Sequence, residues 1–395
     1  MKKKTYKPIP ERTTHTEEAR LKRVDFIEKI LNRPIPNIKN SRIPADTMEG
    51  NIENYIGSVE IPIAIAGPLQ ITGKHAEGQF YLPVATTEGA LVSSITRGSI
   101  ALTKAGCLTA LALEQKMIRA PVFSMHGVKE ALQLSNWVKQ NIRSIKDVVS
   151  SNSHHAKLIC IEPKVMGRRL HLRFVYSTGD ASGQNMTTKC TWECCQWILS
   201  AFETEHPGVI QSFFIDGNMS SDKKASYLSS QQGRGVHVVA EVRIPGKVLK
   251  RVLLTSQAQI LEAYNNIAAS AQQAGMISMN LNIANVIAGV FVATGQDIAC
   301  VHESSLGNLF IEPWEDGIYC SMTLSNLVIG TVGGGTALRH QKEALTMLDC
   351  YGKNRVMKFA EIICGFCLAL EVSTLSAIAG GQFVEAHESL GRNRP

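Results

Sequence analysis

Two long stretches that are poor in charge constrain this chain more than any other feature. Ser256 to Val292 and Arg355 to Ala379 both read as apolar helix, and no isolated surface helix tolerates apolar residues all round. Both are therefore expected in the core of a larger unit. Overlapping the first, Tyr264 to Gln296 carries no charge at all and is long enough to span a bilayer. Asn265, Asn266, Asn280, Asn282 and Asn285 interrupt it, which favours a buried helical core over a membrane span. The N-terminal region is charged and lacks the apolar heart of a signal peptide, so the expected location is cytoplasmic.

The 395 residues suit two or three domains, and 44% hydrophobic against 19% charged residues excludes a disordered chain. Ten cysteines without an export signal read as reduced thiols. The C-x-x-C at Cys364-Gly365-Phe366-Cys367 lies in an apolar helical pattern and reads as core packing, and no metal site is expected. The net charge of +7 suits anionic ligands such as phosphorylated cofactors. Lys2, Lys3, Lys4, Arg20, Lys22 and Arg23 read as a solvated basic tail, and nothing interleaves basic and aromatic residues as nucleic-acid binding would.

Periodicity predicts a polar helix over Thr16 to Leu31, stopped by Pro34 and Pro36, then strands at Val59 to Ile65 and Phe80 to Val84 and a helix from Thr87 to Ala105. Between about Pro121 and Phe214 helical and extended segments alternate, as in a small α+β domain. The chain divides into an arm (1–52), a large domain (53–119 and 215–395) and a small inserted domain (120–214).

Glycine placement carries the first chemical signal. Gly330-Thr331-Val332-Gly333-Gly334-Gly335-Thr336 follows an apolar run and precedes a helix-like segment, an arrangement that serves either to bring backbone amides to a phosphate or to make a tight turn. It is not the G-x-G-x-x-G of a dinucleotide fold. Gly179 to Met186 follows a strand and offers a second cradle or an ordinary turn. Glu88 stands at a helix start, where a carboxylate favours the macrodipole. Lys223 and Lys224 follow Asp222 in a polar turn, Asp297 follows Gly295-Gln296, and His387 lies near the C-terminus.

Taken in order, Glu53 to Gly57 with Ala66 to Leu69, Ala85 to Leu91, Gly179 to Met186, Asp222 to Lys224, Gly295 to Asp297, Gly330 to Thr336 and the tail histidine resemble the catalytic portion of the 3-hydroxy-3-methylglutaryl-coenzyme A (HMG-CoA) reductases, of the class found in eukaryotes and archaea. The resemblance runs from about Glu53 to the end and lacks the eukaryotic membrane anchor. It implies an α+β fold in which a large, mainly helical substrate domain is interrupted by a small ferredoxin-like cofactor domain. It also implies a homo-oligomer, dimer or tetramer, with active sites at the subunit interface. The implied reaction is a four-electron reduction of an acyl-CoA thioester by two hydride transfers from NADPH, with NADH a second possibility.

By that resemblance Lys223 meets the carbonyl oxygen as it becomes negative, Glu88 donates a proton, Asp297 couples to both, and His387 protonates the departing thiolate. Ser153, Asp180, Ser182, Gly183, Asn185, Gly333, Gly334 and Gly335 match cofactor-binding positions. Arg119, Asp222, Lys224 and Asn285 match substrate-binding ones.

Several positions depart from the family. Asn265 stands for a lysine and Asp216 for a serine, which weakens the expected grip on the acyl carboxylate, while Asn282 stands for a histidine and Ile100 for a basic residue after Arg97, which bears on the substrate more than on the reaction. His154 and His155 fall where an arginine and an aromatic approach the adenosine 2′-phosphate. These departures leave two alternatives, a diverged relative that reduces another acyl thioester and a non-catalytic relative.

Overall fold

The computed structural model describes residues 7–384 and 388, and His387 lies outside them. Its frame is a mixed α/β arrangement around one large, mostly antiparallel sheet. The strands are β1 (Ile63–Gly73), β2 (Glu77–Ala85), β3 (Leu108–Arg119), β4 (Val122–Met125), β5 (Lys157–Met166), β6 (Arg169–Ser177), β7 (Ile210–Phe214), β8 (Gly235–Ile244), β9 (Gly307–Trp314) and β10 (Gly317–Leu327). β3 belongs to two layers. Its first part lies in the order β2-β1-β3-β8-β10-β9, where only β1 and β3 run parallel. Its last residues, Met117 to Arg119, pair with β6 in a layer that continues through β4 to β7 on one side and to β5 on the other.

That second layer alternates strands with helices. Val128–Gln140 and Ile142–Asn152 connect β4 to β5, and Gln184–Glu205 connects β6 to β7. Phe123, Phe174, Tyr176, Cys194, Ile198 and Phe202 are fully buried in its share of the core. Removing such side chains from water stabilises the fold by roughly 1.5–3 kcal/mol each.

The helix Val356–Ala379 is the hub of the other layer. It packs against β1, β3, β8 and β10 and against the helices Leu91–Ala105, Gln257–Gln273 and Ile283–Thr294. It is long and apolar enough to cross a membrane, with a mean hydropathy of 2.0, yet 89% of its apolar window is buried in the protein. Cys364 and Cys367 are both fully buried, as the pattern predicts. A buried carboxylate is costly unless hydrogen-bonded, and the two on this helix are. Glu361 accepts from the amides of His75 (2.8 Å), Ala76 (2.7 Å) and Ala112 (3.0 Å), and Glu371 from those of Leu281 and Asn282 (both 2.7 Å).

Three expectations need correction. The stretch from Ser256 to Val292 is only half core: Ile283–Thr294 is buried, but Gln257–Gln273 lies at the surface and buries only Ile260 and Ala271. Gln259, Glu262, Asn265 and Asn266 give that helix a wet face despite its low charge. The large unit is not simply helical, since six strands run through it. Its first strand begins at Ile63 rather than Val59 and continues to Gly73.

The N-terminal helix Glu17–Leu31 starts where Thr16 Oγ1 accepts from the amide of Ala19 at 3.2 Å. Arg20 and Arg23 are not solvated, however. Arg20 donates to the carbonyls of Lys39 and Ile56 (both 2.9 Å), and Arg23 to those of Tyr55 (2.9 Å) and Thr14 (3.1 Å), tying the arm to the body. Short-range pattern cannot reveal such long-range carbonyl acceptors.

Candidate active site

The two glycine segments pack against each other. The Thr331 amide donates to the Asp180 carbonyl at 2.8 Å, and a Cβ on Gly330 would stand 2.8 Å from the Ser182 nitrogen, so only glycine fits there. Gln296 clamps the same glycine from the other side, its Oε1 accepting from Gly330 N (2.8 Å) and its Nε2 donating to Gly330 O (3.0 Å). Gly333 and Gly334 have positive φ (78° and 56°) with open space where a side chain would stand.

These segments wall a cavity of about 850 Å³. It brings together Ser182, Gly183, Asn185, Gly333, Gly334 and Gly335 with Arg119, Asp222, Lys223 and Asp297. The size suits a cofactor or substrate. Lys223 Nζ lies 2.8 Å from Asp297 Oδ2. That hydrogen bond holds the ammonium above the ordinary lysine pKa, with burial opposing it. Gln184 Nε2 donates to the same Asp297 oxygen at 3.3 Å and lies as far from Cys300 Sγ. Burial pushes the Cys300 thiol up to about 12, which keeps it protonated and out of nucleophilic chemistry.

Behind Lys223 stands a chain of charges. Arg119 Nη1 meets Asp222 Oδ2 at 2.9 Å, Arg234 Nη2 meets Asp222 Oδ1 at 2.7 Å, and Arg234 also pairs with Glu303. Burial works against the charge on Asp222, but Arg234 and Arg119 outweigh it and hold its carboxyl below the usual range. Glu303 is fully buried, and burial lifts its carboxyl above the usual range although Arg234 pulls the other way. Sequence reasoning missed Arg234, Glu303, Gln184 and Gln296. The available signals were Arg234 between Gly233 and Gly235, and Glu303 as the first acid after Asp297.

Other expected residues stand elsewhere. Asp180 does not line the cavity, because its carboxylate accepts from the amides of Asn354 (2.7 Å), Arg355 (2.9 Å) and Val356 (3.2 Å) at the start of the hub helix. Ser153 closes the helix Ile142–Asn152, its Oγ accepting from the amides of His155 and Ala156 (3.2 and 3.0 Å), while His154 and His155 are exposed. Lys224 Nζ donates to the Asp222 carbonyl at 3.0 Å. Glu88 precedes its helix, which begins at Leu91, and does not cap it; its Oε1 accepts from Asn285 Nδ2 at 3.2 Å, and neither residue lines the cavity. Among the departures, Asp216 Oδ1 accepts from the Asn218 amide at 2.7 Å, organising the turn that leads to Lys223, and Asn265 is exposed.

A lysine–aspartate pair thus shares one cavity with two glycine segments, and the comparisons with known proteins place the chain in a class of oxidoreductases. The signature of the hydroxymethylglutaryl-coenzyme A reductases matches residues 19–392, and the chain belongs to that family. Among curated relatives, the 3-hydroxy-3-methylglutaryl-coenzyme A reductase of Methanocaldococcus jannaschii is 43% identical over 93% of this chain and 91% of its own. That of Aeropyrum pernix is 41% identical over 96% and 90%. In fold, the chain is similar to the Streptococcus pneumoniae enzyme (TM-score 0.66, 17% identity, 85% of this chain and 88% of that one). It is equally similar to the class II enzyme of that organism bound to NADPH in open conformations (TM-score 0.66, 15% identity, 91% and 96%).

Proposed function

We propose that the protein reduces HMG-CoA to mevalonate and free coenzyme A at the expense of two NADPH. The observation that carries this reading is the placement of the Lys223–Asp297 pair in one cavity with both glycine segments. The residues present fit the cofactor: the start of the helix Gln184–Glu205 supplies amides that favour phosphate, and Gly333 and Gly334 leave room for it. NADPH, when bound, supplies the hydride.

The chain's own work is electrostatic and acid–base. As the thioester carbonyl is reduced its oxygen gains negative charge, and the Lys223 ammonium, kept protonated by Asp297, is the cation set to meet it. Arg119, held by Asp222 and by the Gln184 carbonyl (2.9 Å), presents a fixed guanidinium to the acyl carboxylate. Lys224, Asp222 and Asn285 complete the substrate contacts. Glu88, oriented by Asn285, is the proton donor for the aldehyde stage, and His387 serves the thiolate.

Glu88 and Asn285 bond to each other but do not line the cavity that holds Lys223, and this reading includes a homo-oligomer in which a second copy completes each site. The layer of residues 120–214, with strands ordered β7-β4-β6-β5 and two helical crossovers, supports the small ferredoxin-like cofactor domain inserted in the large one. Asp180 then acts by anchoring the cofactor loop to the hub helix, and Ser153 with His154 marks the adenosine end.

The test is nicotinamide oxidation by the purified protein with HMG-CoA, with NADPH and NADH in separate reactions. Mevalonate formed fastest with NADPH is the expected result. Cofactor binding without turnover would overturn the assignment of the substrate.

A further inference from the structure

Lys223 has a left-handed backbone (φ 58°), a conformation that L-residues with side chains adopt only when their surroundings impose it. The turn before it is equally unusual, with Asn218 at φ 62° and Ser221 at φ 56°. One group accounts for the hold on Lys223 itself. Its amide donates to Glu303 Oε1 at 3.0 Å, from a carboxylate that is fully buried on the short helix Val301–Ser304. The next residue of that helix is tied down as well, since Ser304 Oγ accepts from the Val328 amide at 3.1 Å, just beyond the end of β10. The same Glu303 oxygen receives Arg234, itself fully buried, and Arg234 reaches on to Asp222 at 2.7 Å. The backbone that carries the reacting cation is thus gripped at residue 223 by a carboxylate, and the side chain of residue 222 is held by the arginine which that carboxylate also binds.

We propose that Glu303 is a positioning residue for the reduction: its Oε1 fixes the backbone of Lys223 and holds Arg234 against the Asp222 carboxylate, so that the ammonium is delivered to Asp297 before substrate arrives. This rests on the reading of Lys223 as the cation that meets the developing oxyanion. Preorganisation of that kind is where electrostatic catalysis draws its strength, and a misplacement of about 1 Å costs on the order of 100-fold in rate. Glu303 touches neither the cavity nor the reacting atoms, so its effect belongs in kcat rather than in binding.

The geometry distinguishes the position of the oxygen from the charge it bears. Glu303 Oε2 accepts no hydrogen bond, so a glutamine can put its carbonyl where Oε1 stands and its amide nitrogen where Oε2 stands. Glu303→Gln therefore keeps the acceptor in place and loses the charge. Glu303→Asp keeps the charge and withdraws the acceptor by about 1.5 Å, one carbon–carbon bond. Positioning predicts that E303Q retains kcat within a few-fold of the parent while E303D loses about 100-fold, with the KM for HMG-CoA and the Kd for NADPH unchanged in both. A role confined to neutralising buried Arg234 predicts the reverse order, with the aspartate milder than the glutamine.

The experiment measures kcat, KM, NADPH affinity and thermal midpoint for the parent, E303Q, E303D and Lys223→Ala, each as the full-length chain. E303D far below E303Q at equal cofactor affinity is the expected result. Equal kcat values, the reverse order, or a loss in E303D that appears in KM or in NADPH affinity would overturn the proposal. Turnover surviving in K223A would instead overturn the reading of Lys223 on which it rests, so the two failures are told apart.

Discussion

Lys223 Nζ and Asp297 Oδ2 stand 2.8 Å apart although 74 positions separate the two residues in sequence (297 − 223), Lys223 coming from the turn after β7 and Asp297 from the turn that follows the helix Ile283–Thr294. Their pairing determines when the lysine is charged. Because the carboxylate raises the Lys223 pKa, the ammonium persists as pH climbs past the usual lysine value, and removing the carboxylate brings its deprotonation to lower pH. In Asp297→Asn the alkaline limb of kcat, followed from about pH 8 to about pH 11, is expected to move toward neutrality. A limb that stays in place would show that Lys223 does not depend on Asp297.

Glu88→Ala and Lys223→Ala are each expected to abolish most turnover. If two copies build each site, mixing and reassembling the two inactive proteins restores intact sites by statistics alone, about a quarter of the parental number for a dimer. An assay of the reassembled mixture against each variant alone reads this directly, and a mixture as inactive as its components would place Glu88 and Lys223 in one and the same subunit's site.

Asp180 is expected to report on stability before it reports on cofactor. Asp180→Ala strips three backbone amides at the start of the hub helix of their acceptor, and loss of such a cap costs about 0.5–2 kcal/mol. Urea unfolding should show that loss without ligand, and NADPH affinity should fall only as far as the 179–186 loop loosens. Unchanged urea stability with lost affinity would make Asp180 a direct contact instead.

Glu371 makes the fold sensitive to pH. Burial raises its carboxyl to about 7, with the amides of Asn282, Leu281 and Ile283 pulling the other way. A group whose folded pKa lies above its unfolded one stabilises the fold fully at pH below the unfolded value and loses that contribution as pH rises through the folded one. Part of the stability is therefore expected to fall between about pH 4.5 and about pH 7, and Glu371→Gln should flatten that slope. Chemical unfolding at a series of pH values measures it, and equal slopes in parent and variant would refute the assignment.

How much of this was legible in the sequence depended on the range of each interaction. The N-terminal helix up to Leu31 and the buried Cys364-Cys367 pattern are local and were legible, whereas the two glycine segments read either as cradle or as turn, and only the fold shows that they wall one cavity. The hub helix was recognised as core because apolar residues all round leave no wet face. The cap that Asp180 makes on Asn354 to Val356 was not legible, because nothing near it in sequence hints that those residues return to it. Arg234 and Glu303 escaped for the same reason: a buried ion pair is a fact about two distant segments, and neither segment announces the other.

The hub helix also has a temporal meaning. Every strand and helix it packs against precedes it in the chain, so while residues 63 to 327 emerge from the ribosome the apolar groove they form has no occupant. At about 5–20 residues per second, tens of residues translate into seconds of waiting. Birth order thus makes this late helix the keystone of the arch, and a chain released before about Ala379 leaves open the faces of β3, β8 and β10 that it covers.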